Sequence, residues 1–135
     1  MTNLLRRITL YFSAGAAGGL ANALCVWFFG SAGITRSLDV AIAPSLTPEM
    51  LYTRIVWGGV WGLAFLLPLA VRSPAIRGLL CSLGPTFVQL FIVFPQHGRG
   101  MMGLELGTLT PAFVLVFNAA WGLTAALWLA VIGEN

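Results

Sequence analysis

The sequence predicts an all-α fold, a polytopic bundle of four transmembrane helices arranged as two tandem helical hairpins. Three observations predict it. Hydrophobic residues fill 59% of the 135 positions and charged residues 8%, with a mean hydropathy of +0.92. A soluble domain carries about 25% charged residues, so a chain this poor in charge cannot cover its own core and needs lipid as solvent. Apolar runs at about 8–30, 51–71, 75–95 and 109–132 each meet the length of roughly 20 residues that a spanning helix requires. The second and fourth runs also resemble each other, which divides the single transmembrane domain, 1–135, into hairpins 1–71 and 75–135.

The first run follows Arg6 and Arg7, as a signal peptide would, but it is longer than the 7–15 apolar residues of a signal core and reads as a membrane span. It carries Gly15 and Gly19 at GxxxG spacing, then Asn22 and Cys25. The 31–47 loop is itself apolar (Leu38, Val40, Ala41, Ile42) and is expected to lie along the membrane interface. The second run opens on Ser45-Leu46-Thr47-Pro48, with Thr a good N-cap and Pro suited to the first helical position. Arg54 sits at its outer mouth, Gly58 and Gly62 form a second GxxxG pair, and Pro68 is expected to bend its inner end. A short turn with Arg72 and Arg77 leads to the third run, where Pro85 removes a donor, frees the Cys81 carbonyl and predicts a kink. The 96–108 loop holds Gly98, Gly100, Gly103 and Gly107 and should be the most pliant part of the chain. The fourth run opens on Thr108-Leu109-Thr110-Pro111, a second Thr-Pro cap, and carries a small-residue stripe of Asn118, Gly122 and Ala126. None of these runs alternates apolar and polar residues, which excludes a transmembrane barrel.

Between 55–71 and 115–131, eight of seventeen positions are identical, including Trp61-Gly62-Leu63 with Trp121-Gly122-Leu123 and Leu69-Ala70-Val71 with Leu129-Ala130-Val131. Two hairpins in tandem share an orientation, so a pseudo-twofold axis would run along the membrane normal. All seven basic residues are Arg, scattered between apolar blocks, so the basic pI implies no nucleic-acid partner. Arg6, Arg7, Arg72 and Arg77 fall on one side, whereas Arg36, Arg54 and Arg99 are balanced by Asp39, Glu49 and Glu105 on the other. The excess places both termini in the cytoplasm.

Candidate binding residues are few. Asn22, Gln89 and Asn118 fall at a similar depth, nearer the outer surface. They read either as interhelical hydrogen bonds or as the lining of a polar path. Asp39, Glu49, Arg54 and Glu105, with Arg36 and Arg99, mark the outer mouth as a salt-bridged cap or a charged vestibule. His97 stands without a second ligand at metal spacing, so no metal or cofactor is expected. Cys25 and Cys81 lie at different depths and read as packing residues with no disulfide. No nucleophile triad, HExxH, P-loop or CxxC is present, and the chain is read as not an enzyme.

Four-helix small multidrug exporters carry an acid in the first span, which this chain lacks. Gly78-Leu79-Leu80, Gln89-Leu90-Phe91 and Phe94-Pro95, with Trp121 following, resemble the uncharacterised YagU-like bacterial inner-membrane proteins. The resemblance implies a multi-pass protein of the bacterial inner (plasma) membrane with no defined activity. The reading favoured by the GxxxG stripes is a protein that acts by helix association, as a homo-oligomer or an accessory subunit of a membrane complex. The alternative is a small channel or carrier with its path near Asn22, Gln89 and Asn118. A third reading binds lipid or quinone between the faces of Trp57, Trp61, Trp121 and Trp128.

Overall fold

Every regular element is helical among the described residues, 2–69 and 71–134 of a computed structural model. Helix α1 (Thr2–Ser31) is followed by the single turn α2 (Ile34–Ser37), then by α3 (Pro48–Gly62), which tightens into a 3₁₀ turn over Leu63–Leu66. Helix α4 (Pro74–Val88) widens into a π-helical turn over Gln89–Val93 and ends in α5 (Phe94–Gln96). A 3₁₀ turn at Met101–Gly103 precedes α6 (Thr110–Ile132). Three helical stretches are long and apolar enough to cross a membrane: Asn3–Ser31, Pro74–Gln96 and Thr110–Ile132. They match the first, third and fourth runs of the sequence.

The second run departs from expectation. Its helix begins on the expected Thr47-Pro48 cap, ahead of the apolar run at 51, and the Thr47 hydroxyl accepts from the Met50 amide at 3.1 Å. It stops at Leu66, however, instead of bending through to residue 71. Pro68 explains the stop: the residue before a proline is driven from helical to extended backbone, and Leu67 stands at φ −62°, ψ 135°. Ala70, part of the Leu-Ala-Val match, lies outside the described residues. The π turn in the third run has a related cause. Pro95 has no N–H for the Phe91 carbonyl, and one residue earlier the Phe94 amide already reaches back five residues to the Gln89 carbonyl.

The bundle is two close-packed pairs set side by side. Helix α1 crosses α3 where Gly15 and Gly19 meet Gly58 and Gly62; a Cβ on Gly58 would lie 2.7 Å from the Gly15 carbonyl oxygen. Helix α4 crosses α6 with Gly78 against Gly122. The GxxxG stripes therefore find their partners within one copy of the chain. The pairs join through α1 and α6, where Gly18 faces Trp121 and the indole N–H is shared between the carbonyls of Gly15 (3.1 Å) and Gly58 (3.2 Å). One apolar core gathers Tyr11, Ala14, Phe65, Cys81, Trp121, Ala125, Ala126 and Leu129 near the end that holds both termini. A second, of Val26, Val40, Phe113 and Phe117, lies under the loops.

The loops pack more closely than their sequences suggest. Val40 is 3% exposed and Ile42 packs beside it, so the apolar stretch of the 31–47 loop folds back onto the bundle. Fully buried Thr35 ties that loop to itself, its hydroxyl donating to the Ile42 carbonyl at 2.7 Å. The glycine-rich loop is a run of hydrogen-bonded turns, and Ala41 N–H donates to Leu106 O across the two loops at 2.9 Å. Gly107, at φ +151°, has no room for a side chain, since a Cβ there would run into the Asp39 carbonyl. The fourth helix also departs from its expected cap: it starts on Thr110 with Leu109 as N-cap, and the buried Thr110 hydroxyl finds no partner among the described residues.

Candidate functional site

Four helices contribute to one chain of hydrogen bonds at mid-depth. Asn22 on α1 donates through Nδ2 to the Phe117 carbonyl at 2.9 Å and to Asn118 Oδ1 at 3.4 Å. Asn118 on α6 donates to the Thr86 hydroxyl at 3.0 Å, and Thr86 on α4 donates to the Ser82 carbonyl at 2.8 Å. Asn22 Oδ1 accepts from Arg54 Nη1 on α3 at 2.6 Å. A carbonyl only accepts, so Phe117 O fixes which end of the Asn22 amide is the donor and turns its oxygen toward Arg54. Asn22 and Asn118 are 7% exposed each and Thr86 is 5% exposed.

The level expected for the three amides is real, but its membership differs. Asn22 and Asn118 meet, whereas Gln89 does not join them; Thr86, one turn deeper on the same helix, takes the third place. Gln89 sits in the π turn, has no side-chain partner among the described residues, and lines a cavity of about 510 Å³. That cavity opens at the loop end, between the outer parts of α3 and the π turn, and is also lined by Asn22, Arg54, His97, Arg99 and Phe117. Toward the other end α3 and α4 close together: the Trp61 ring covers Gly84, and Arg77 Nη2 donates to the Phe65 carbonyl at 2.8 Å.

Arg54 is not at the mouth. Its guanidinium meets Asn22, which lies about 13 Å along α1 from Ser31 at 1.5 Å per residue. The salt-bridged cap does not form either. Asp39, Glu49 and Glu105 are exposed and make no ion pair among the described residues, and Arg36 and Arg99 are exposed beside them. The hairpin of α3 packed against Gly19 carries Arg54 inward, away from these acids. His97 donates from Nδ1 to the Val93 carbonyl at 2.8 Å, and no metal-holding group of His, Cys, Asp or Glu occurs among the described residues.

A second polar cluster, at the terminal end, has no counterpart in the sequence reading. Glu134 accepts from Tyr11 Oη at 2.7 Å and from Arg77 Nη1 at 2.8 Å, so that its ion pair with Arg77 joins the ends of α4 and α6 and its bond with Tyr11 ties them to α1. Arg77 lies over the rings of Phe65 and Tyr11 at 5.1 and 5.7 Å from their centroids. Burial raises the Glu134 pKa, but the hydrogen bonds from Tyr11 and Arg77 and the charges of Arg77 and Arg7 outweigh it, and the carboxyl is held below the ordinary glutamate value. A further cavity of about 770 Å³ borders this cluster. The pairing was hidden in sequence because Arg77 and Glu134 are 57 residues apart and only the fold brings them together.

Among the four tryptophans weighed for an aromatic groove, Trp121 is buried, Trp57 and Trp128 are exposed, and Trp61 packs on Gly84, so no common groove forms. Compared with known protein families, curated proteins and solved structures, the chain finds no match.

Proposed function

We propose that this protein is a small carrier that crosses its membrane four times and holds a polar solute in the cavity at the loop end. The observation that carries the reading is the asymmetry between α3 and α4. They splay around an arginine-lined cavity at one end and are clamped by Arg77, Phe65 and Glu134 at the other. The reading takes the loop end as the open side and the terminal end, where the cavity of about 770 Å³ also lies, as the side held by the clamp. Helix α3 with its 3₁₀ turn measures about 30 Å, the thickness of a hydrocarbon core, which supports counting it as the fourth span. An ionisable side chain held at depth, as Arg54 is, marks a substrate path more often than a packing site.

The close-packed pairs α1–α3 and α4–α6 coincide with the two hairpins of the repeat, so alternating access would be a rocking of one hairpin against the other. On this reading Asn22 and Asn118 are the pivot, Arg54 and Gln89 face the solute, and the Tyr11–Glu134–Arg77 cluster is the inner latch. The association reading drew its support from the GxxxG stripes, which are taken up inside one copy. The YagU-like resemblance would place the carrier in a bacterial inner membrane, and the excess of Arg6, Arg7, Arg72 and Arg77 would turn its termini inward.

Accessibility tests the proposal. With Cys25 and Cys81 replaced by Ala, single cysteines at Val93 and at Leu66 are labelled in vesicles of known orientation with a membrane-impermeant maleimide. The wild-type background should label Val93→Cys from outside, and Glu134→Gln should lower that labelling while raising labelling of Leu66→Cys from inside. If Glu134→Gln leaves both rates unchanged, the two ends are not coupled and the carrier reading fails.

A further inference from the structure

The charge inventory of the loop-end cavity narrows what it can take. Two arginines, Arg54 and Arg99, and one histidine, His97, line it together with the amides of Asn22 and Gln89, and no acid is among the lining residues. Arg54 is the deepest of the charges. Its hydrogen bond goes to a neutral amide oxygen, and it forms no ion pair among the described residues. A guanidinium has five N–H donors in a planar fork; one of them is used on Asn22. Asn22 cannot turn to offer anything else, because Phe117 O holds its amide nitrogen. The protein thus places a full positive charge at the level of Asn22, about 13 Å along α1 from Ser31, fixes it, and leaves its charge to be balanced by something else.

We infer that the cavity is a site for an oxyanion, a carboxylate or phosphate group, that seats on the Arg54 fork beside the Gln89 amide, with Arg99 and His97 at the entrance. This rests on the reading of the cavity as the solute site and names its substrate class. The acids of the same end do not compete for Arg54: Asp39, Glu49 and Glu105 point to solvent, and their exposure leaves Arg54 to the ligand. A volume of about 510 Å³ falls in the range of roughly 300–1,000 Å³ usual for small-ligand sites. Planar bidentate pairing of guanidinium with carboxylate or phosphate is shorter and stronger than neutral hydrogen bonding and excludes cations outright. The same chemistry is offered by a free anion entering from water and by an anionic lipid headgroup entering between α3 and the π turn.

The test uses the full chain in nanodiscs of phosphatidylcholine, titrated by calorimetry with inorganic phosphate and with acetate, and with choline and glucose as cationic and neutral probes. A second set of nanodiscs contains phosphatidylglycerol. Phosphate or acetate should bind and the controls should not; if the headgroup is the source, anion binding should vanish in the phosphatidylglycerol discs because the site is already filled. Arg99→Gln, in an exposed loop, should weaken binding roughly tenfold, the equivalent of one charge-assisted hydrogen bond. Arg54→Gln should abolish it, and Arg54→Lys, which keeps the charge but loses the fork, should recover part. If glucose or choline binds and the anions do not, the anion assignment falls while the cavity remains a solute site. If no probe binds and phosphatidylglycerol leaves the thermal stability of wild type and Arg54→Gln equally unchanged, the assignment falls together with the solute site. Anion binding without any change in cysteine accessibility would uphold the assignment and sink the carrier cycle.

Discussion

Replacing Asn22, Asn118 and Gln89 singly with Leu should destabilise the protein in that order, because the structure gives the three amides unequal work. Asn22→Leu removes the bonds to Phe117 O and Asn118 Oδ1 and strips Arg54 of its acceptor. Hydrogen bonds between helices in membranes average about 0.6 kcal/mol with a ceiling near 1.7, so the two bonds Asn22 donates account for about 1–2 kcal/mol. Leaving a buried charged donor unmatched adds about 1–3 kcal/mol, for a total of about 2–5. Asn118→Leu loses the Thr86 bond and the long contact to Asn22, while Asn22 keeps Phe117 and Arg54, so about 1 kcal/mol is expected. Gln89→Leu loses no bond and should stay within about 0.5 kcal/mol.

Unfolding in mixed micelles with rising detergent denaturant, followed by far-ultraviolet circular dichroism, measures all three. A double variant sharpens the result. If the cost of Asn22→Leu comes partly from an abandoned guanidinium, combining it with Arg54→Met should cost less than the sum of the two single changes. Strict additivity, or a Gln89→Leu loss equal to that of Asn22→Leu, would refute the hydrogen-bond assignment.

Gly58→Leu would place a branched side chain against the Gly15 carbonyl and the Gly19 backbone, so α1 and α3 must part and the variant should fail to give a folded, monodisperse protein on size exclusion. Thr110→Val replaces a fully buried hydroxyl with no partner by a methyl group of the same shape, and the same micelle titration should show it more stable by about 1 kcal/mol. The Glu134 carboxyl titrates below its unfolded value, so the latch contributes stability at neutral pH that is lost as pH falls through the lowered folded pKa. Glu134→Gln should flatten the acid limb of a stability–pH curve, and an unchanged limb would mean that the latch does not contribute.

What was legible in the sequence followed from local rules. Apolar length placed both ends of the α4 and α6 spans and the far end of α1 to within a residue, although α1 starts earlier, at Thr2, and Thr47-Pro48 marked the start of α3 correctly. The error at its other end is also local: Pro68 was read as a bend, but the steric demand on Leu67 ends the helix outright. Counting depth from helix ends brought Asn22 and Asn118 to one level, and they do meet. The same count brings in Gln89 and does not consider Thr86, a hydroxyl that at the right turn serves as well as an amide. Arg54 was read as a mouth residue from its place near the start of an apolar run. Its real depth depends on α1 extending well beyond the α3 start, a relation between helices that no single run encodes.

The small residues and the polar residues both tie the helices together, and where they do so bears on how the bundle could move. Glycine contacts hold α1 to α3 and α4 to α6 by close approach of backbones, which offers no alternative register without a clash. The joint between those pairs combines both: Gly18 lies against the Trp121 backbone, and beside it stand the Asn22–Asn118 bond, the Trp121 N–H shared by Gly15 and Gly58, the Tyr11–Glu134 bond and the bond from Arg77 to the Phe65 carbonyl. Arg54 belongs to the α3 backbone that is pressed against Gly19, so the charge travels with α1, while Gln89 and the π turn travel with α4 and α6. The cavity therefore lies at the boundary where the two rigid pairs would separate, and an anion bridging Arg54 and Gln89 would draw them together. In that arrangement the ligand itself supplies the contact that closes the loop end.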